Sequence, residues 1–139
     1  MSYEEKGTWA FLVTTLGTYA GYVVAVVRRG AGGPLTEAPY VSTMLWALGI
    51  AIVAAMVVRI VVEMAVPSET YQIDVRDKDI NRRGDYVSGL ILSVGMVLPL
   101  GLTMAELDHF WIANAIYAVY VVSTSIGAIV KIVAYRRGW

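Results

Sequence analysis

Residues 43–66 read TMLWALGIAIVAAMVVRIVVEMAV, a run broken by charge only at Arg59 and Glu63. At about 1.5 Å of rise per residue, a helix of this length crosses the roughly 30 Å hydrocarbon core of a bilayer. The run is continuously apolar, whereas a barrel strand alternates apolar and polar positions, so a membrane-spanning helix is expected. On its amino-terminal side lies GAGGPLTEAPY, residues 30–40, whose glycines and prolines break helices and make a short loop. Before that loop, Thr8 to Val27 carries no charge and closes at Arg28 and Arg29. Beyond residue 66 comes the one sizeable polar region, Pro67 to Tyr86, followed by uncharged Val87 to Ala105. The tight turn ELDH, residues 106–109, leads into Phe110 to Tyr135, where Lys131 is the sole charge. The expectation is all-α: one integral membrane domain, a bundle of four transmembrane helices over residues 8–27, 43–66, 87–105 and 110–135.

Composition agrees. With 139 residues, 58% hydrophobic and 16% charged, and a mean hydropathy of +0.62, the chain is too apolar for a soluble domain of its size. Its formal net charge is zero, so no basic excess points to nucleic acid as a partner. The absence of cysteine excludes disulfides, iron–sulfur clusters and thiol chemistry. The first apolar run ends in Arg28 and Arg29 without a small-residue cleavage signal, which reads as a retained helix and not a signal peptide.

The charges are strongly segregated. Lys6, Arg76, Lys78, Arg82, Arg83, Lys131, Arg136 and Arg137 fall on the side holding both termini and the Pro67 to Tyr86 loop, against Arg28 and Arg29 on the other. Short loops near the membrane keep their lysine and arginine excess in the cytoplasm, so both termini and the charged loop are expected there. Aromatic residues at the expected interfaces agree: Trp9, Tyr86 and Tyr135 on the inner side, Tyr40, Trp46, Phe110 and Trp111 on the outer.

Small residues mark faces on which helices can approach closely: Gly17 and Gly21 in the first span, Ala47, Ala51 and Ala55 in the second, Ser123 and Gly127 in the fourth. One subunit has a small interior, so at least one of these stripes is expected to meet lipid or another copy. Gly17 and Gly21, with Thr18 and Tyr22 beside them, are the candidate face for a homo-oligomer, a dimer being favoured by two-fold closure. Pro99, flanked by Gly95 and Gly101, is expected to kink the third span by removing an amide donor.

Three polar groups are candidates for function. Arg59 and Glu63, four residues apart, share a helix face and are placed to form an intramembrane ion pair. The plainer alternative is that Tyr40 to Val58 already spans the membrane and Arg59 snorkels to the interface. Glu106, Asp108 and His109 cluster at the outer turn, with Asn114 one turn inward. Such a group suits a cation or a proton relay, though a solvated turn is the commoner explanation and no metal site is assigned. Asp74, Arg76, Asp77, Asp79, Arg82 and Arg83 lie in DVRDKDINRRGDY, residues 74–86. Here Pro67 and Ser68 are expected to start a short helix and Gly84 to end it, with Asp74 pairing with Lys78 and Asp79 with Arg83. This segment reads either as a charge-paired connector anchored at an anionic leaflet or as a docking element for a protein partner.

YEEKGTWAFLV at the start, GGPLTEAPYVSTMLW before the second span, DVRDKDINRRGDYV in the loop, and AELDHFWIANAIY leading to IVKIVAYRRG resemble uncharacterised small integral membrane proteins of actinobacteria. That resemblance implies four helices and a bacterial plasma membrane, and it transfers no activity and no site residue. The leading expectation is a non-enzymatic protein acting by self-assembly or with a partner, without cofactor. The alternative is a small transporter working as a dimer. Its length resembles the small multidrug resistance transporters, but those use a glutamate in the first helix and none lies between Thr8 and Val27. An intramembrane enzyme ranks third, and His109 as the single histidine excludes bis-histidine haem ligation within one chain.

Overall fold

The computed structural model describes residues 2–68 and 71–138, and these are helical throughout apart from short connections. Helix α1 spans Tyr3–Arg29, a single turn of 3₁₀ helix covers Leu35–Glu37, and α2 spans Tyr40–Ala65. Helices α3, Val75–Gly95, and α4, Val97–Met104, form one crossing, and α5, His109–Arg137, forms the last. Four helices are therefore long and apolar enough to cross a membrane, which makes this a multi-pass membrane protein.

The start of α1 and the end of α5 have local causes. Ser2 caps α1, its hydroxyl accepting from the Glu5 amide at 3.1 Å, and Glu4 and Glu5 sit at the positive end of the helix dipole. Arg28 and Arg29 occupy its last turn. At the far end of the chain, Gly138 takes the left-handed conformation (φ 70°) that closes α5.

The charged stretch departs from expectation. Residues 75–86 are not a loop or a separate helix started at Pro67 and Ser68; they are the opening turns of α3. Asp74 is the N-cap, its carboxylate accepting from the Asp77 amide at 2.7 Å while Asp77 accepts from the Asp74 amide at 3.3 Å. This reciprocal capping box satisfies amides that a helix end otherwise leaves orphaned. Gly84 does not end the helix. A Cβ there would overlap the Lys131 stem and stand 2.9 Å from the Gly127 carbonyl oxygen, while one at Gly127 would stand 2.8 Å from Ser88 Cβ. Gly84 and Gly127 thus let the backbones of α3 and α5 touch. Further along, Gly95 admits Val119, which would lie 2.6 Å from an added Cβ. The helix breaks at Met96, beside the Gly95 carbonyl that Pro99 cannot donate to, so the expected interruption is present.

The four crossings pack as a bundle that stays open between α2 and α3. Helix α1 packs on α2 and α5, and α5 packs on α1, α3 and α4, while α2 and α3 have no extensive mutual contact. The order across the molecule is α2, α1, α5, α3. Burial follows: 33% and 39% of the most apolar stretches of α1 and α5 are buried, against 6% in α2 and 6% in α3–α4, so the middle pair forms the interior and the outer pair faces out.

Two cores occupy this row. Away from the termini, Tyr22 and Val26 of α1, Ala47 of α2, and Phe110, Tyr117 and Val121 of α5 pack together. Their rings meet edge to face, Tyr19 with Tyr117 at 5.1 Å and Tyr40 with Phe110 at 5.2 Å between centroids, a favoured arrangement of ring quadrupoles. Nearer the termini, Leu12, Ala128 and Ile132 form a smaller cluster under Trp9.

Candidate functional site: a charged cleft at the terminal end

Folding α1 and α2 antiparallel about residues 30–39 sets Glu4 to Lys6 beside Arg59 to Glu63, and these residues pair across the helices. Arg59 Nη2 lies 3.3 Å from Glu4 Oε1, and its guanidinium sits 4.3 Å from the Tyr3 ring centroid. Gly7 makes the room: a Cβ there would be 3.0 Å from Arg59 Cζ. The other Glu4 oxygen accepts from Asn81 Nδ2 of α3 at 3.1 Å. Lys6, only 6% exposed, lies 3.6 Å from Glu63 and donates to Ser68 Oγ at 3.0 Å and to the Val66 carbonyl. Glu63 in turn accepts from the Ser68 amide at 2.6 Å and from its hydroxyl at 3.0 Å, which fixes the chain as it leaves α2.

Arg59 and Glu63 are thus not partners of each other, as the four-residue spacing suggested. Each finds an opposite charge on α1, because the neighbouring helix offers a carboxylate and an ammonium at the same depth. The remaining helices join the layer. Glu5 meets Arg136 of α5 at 3.4 Å, Asp85 of α3 meets Lys131 of α5 at 2.7 Å, and Arg76 donates to the Tyr135 carbonyl at 3.3 Å.

Within this layer lies a cleft of about 330 Å³ walled by Glu4, Gly7, Arg59, Asn81, Asp85 and Lys131, with the hydroxyls of Thr8, Ser88 and Thr124. Two carboxylates and two cations line the cleft, so it is neutral overall, and Phe11 and Ala128 give it an apolar part as well. Arg59 is not fully satisfied, since its Nε is buried without a hydrogen-bond partner. Glu4 is the hub: it ties α2 and α3, the helices that do not pack on one another, to the start of α1.

The other sequence candidates are dispersed. Glu106, Asp108 and His109 are all exposed, and Glu106 takes a left-handed backbone (φ 55°) in the turn. Among the described residues no group of three histidines or acids is placed to hold a metal ion. Asn114 points into the bundle instead, accepting from the Tyr22 hydroxyl at 2.7 Å and donating to the Phe110 carbonyl at 2.8 Å. Gly17 and Gly21 are exposed, with no atom within 4 Å of where a Cβ would stand. Their polar neighbours are turned away, Thr18 donating to the Thr14 carbonyl at 2.7 Å and Tyr22 to Asn114. The small residues of α5 are spent inside the subunit, with Ser123 fully buried. Asp74 and Asp77 serve the α3 cap, and the expected Asp79–Arg83 and Asp74–Lys78 pairs do not form among the described residues.

Glu4, Glu5, Lys6, Asn81, Asp85 and Lys131 were the functional candidates that span-by-span reading passed over. The signal was the hairpin register, which puts the acidic start of α1 alongside the charged end of α2.

Fold and cleft together define a multi-pass helical membrane protein whose crossings form an open row clamped at one end by ion pairs. No family model, curated protein or solved structure matches the chain.

Proposed function

We propose that this protein acts without catalysis, by assembling with a second copy of itself in a bacterial plasma membrane, with both termini and the charged end of the row in the cytoplasm. The observation that carries this reading is the open row. A closed bundle satisfies its own helix faces, whereas here α2 and α3–α4 stay 6% buried over their apolar stretches and the Gly17–Gly21 face is bare. Helices in lipid gain from close packing more than from hydrophobic burial, and a bare glycine face offers it. The cytoplasmic placement is supported by the lysine and arginine bias across the membrane. Mass measurement in lipid nanodiscs over a range of protein-to-lipid ratios tests it: a dimer persisting at high dilution is expected, weakened by Gly17→Leu with Gly21→Leu, and a monomer at every ratio overturns it.

A second reading, a small dimeric transporter, draws support from the polar cleft, because ionisable side chains within membrane helices mark solute pathways. Glu4→Gln separates the two. A transporter variant loses proton-coupled uptake in proteoliposomes, whereas a scaffold shows no such uptake to lose and keeps its dimer.

A further inference from the structure

On the side of α3 away from the charged cleft, a groove of about 590 Å³ runs between α3 and α5. Its floor and walls are apolar, formed by Val87 of α3 and by Ile129, Val130 and Val133 of α5, and its rim carries Arg82, Arg83 and Tyr86. The placement along the helix is orderly. Val87 opens the uncharged part of the α3–α4 crossing, and Arg83 lies one turn before it, about 6 Å toward the terminal end. The groove therefore begins at the depth of the hydrocarbon and ends at the depth of the headgroups.

The two arginines are the unusual part. Four other cations at this end are paired with carboxylates, Arg59 with Glu4, Lys6 with Glu63, Lys131 with Asp85 and Arg136 with Glu5, while Lys78 and Arg137 are exposed and lie outside the groove. Arg82 and Arg83 are exposed and have no carboxylate or hydrogen-bond acceptor among the described residues. Asp79, one turn earlier on α3, does not reach Arg83. Two adjacent guanidinium forks without acids, above an apolar trough, call for a ligand that is anionic at one end and hydrocarbon at the other. A free phosphate meets the arginines and leaves the trough empty. A helix of a second copy fills the trough, but Glu4, Glu5, Glu63 and Asp85 at the same end are already paired within their own subunit.

We propose that this groove is a site for an anionic phospholipid of the surrounding bilayer. The phosphate is held by Arg82 and Arg83, whose planar forks match phosphate oxygens. One acyl chain lies against Val87, Ile129 and Val133, with Tyr86 at the headgroup boundary. This site is separate from the charged cleft and does not depend on the oligomeric state.

Native mass spectrometry of the full chain released from nanodiscs of equal phosphatidylglycerol and phosphatidylcholine tests it. Phosphatidylglycerol is expected to be retained over phosphatidylcholine by about tenfold or more. Arg82→Gln with Arg83→Gln brings the ratio near parity. Val133→Trp, which fills the trough and keeps both charges, also lowers retention, and it stands as the independent arm should the double variant not fold. Arg76→Gln with Lys78→Gln removes the same charge from exposed α3 positions outside the groove and leaves the preference in place. Parity in the unaltered protein, an unchanged ratio in both groove variants, or an equal loss in the Arg76/Lys78 variant overturns the proposal. So does a dimer whose formation expels the retained lipid, which assigns the groove to a second copy.

Discussion

The two ends of this molecule hold their helices by different means. At the terminal end, α1, α2, α3 and α5 are all joined by charged or charge-assisted contacts centred on Glu4, Glu5 and Lys6. At the opposite end, α1, α2 and α5 are joined by tyrosine and phenylalanine edges, by a part-buried hydrogen bond from Tyr22 to Asn114 and by an exposed one from Arg29 to Thr43. The side chains on offer account for the contrast. Glu4, Glu5, Lys6, Arg59 and Glu63 meet at the terminal end, whereas the helices meet at the other end through Tyr22, Tyr40, Phe110 and Tyr117, whose rings pack without a charge to desolvate. One end is selected by complementarity of sign, the other by shape.

The contrast breaks most severely where neither charge nor ring is involved, at the backbone contact of α3 with α5. Gly127→Leu is expected to cost about 2–3 kcal/mol in detergent unfolding, since the added side chain meets Ser88 and the Gly84 carbonyl, both held by helix. A loss indistinguishable from zero means that the two helices separate freely. Next, Glu4→Gln is expected to cost about 1–2 kcal/mol, leaving Arg59 without its acid while partial exposure moderates the penalty. A double-mutant cycle sharpens it: Glu4→Gln and Arg59→Gln couple by about 1 kcal/mol, whereas Arg59→Gln and Glu63→Gln add independently. Coupling in the second pair and none in the first restores the local pair suggested by spacing.

At the aromatic end, Tyr22→Phe is expected to cost about 0.5–1 kcal/mol by leaving Asn114 Oδ1 without its donor. If this exceeds the Glu4→Gln loss, the aromatic end and not the charged one is the stronger clasp. Smallest of all, Asp108→Ala with His109→Ala is expected to change stability by less than about 0.5 kcal/mol, both residues being exposed where α4 turns into α5. A thermal shift on adding zinc that vanishes in this variant contradicts the reading of a solvated turn.

The four crossings were legible because a continuous apolar run of helical length admits few other structures. Pro99 marked the α3–α4 interruption for an equally local reason. What was not legible depended on which helix lies beside which. Arg59 and Glu63 invited pairing with each other because four residues is the spacing of a helix face, and only the position of α1 reveals Glu4 and Lys6 as nearer partners. Gly84 looked like a helix stop among charged residues, since nothing in its own neighbourhood announces Gly127 across the interface. The dense charge of residues 74–86 likewise disguised a helix whose start rests on one reciprocal cap. Gly17 and Gly21 stand bare on α1, and the bond that takes Tyr22 across to Asn114 was not visible from spacing.

The row order has a consequence in time. Ribosomes deliver α1 and then α2, and the charges of that hairpin find each other within the first 68 residues of chain. The next crossing has no such fortune. Its main neighbour, α5, follows it in the chain, so α3 and α4 lack an extensive protein contact until α5 lies between them and α1. The contact order therefore separates a hairpin that can pair its charges by itself from a third crossing whose docking depends on α5, the helix that carries both interfaces.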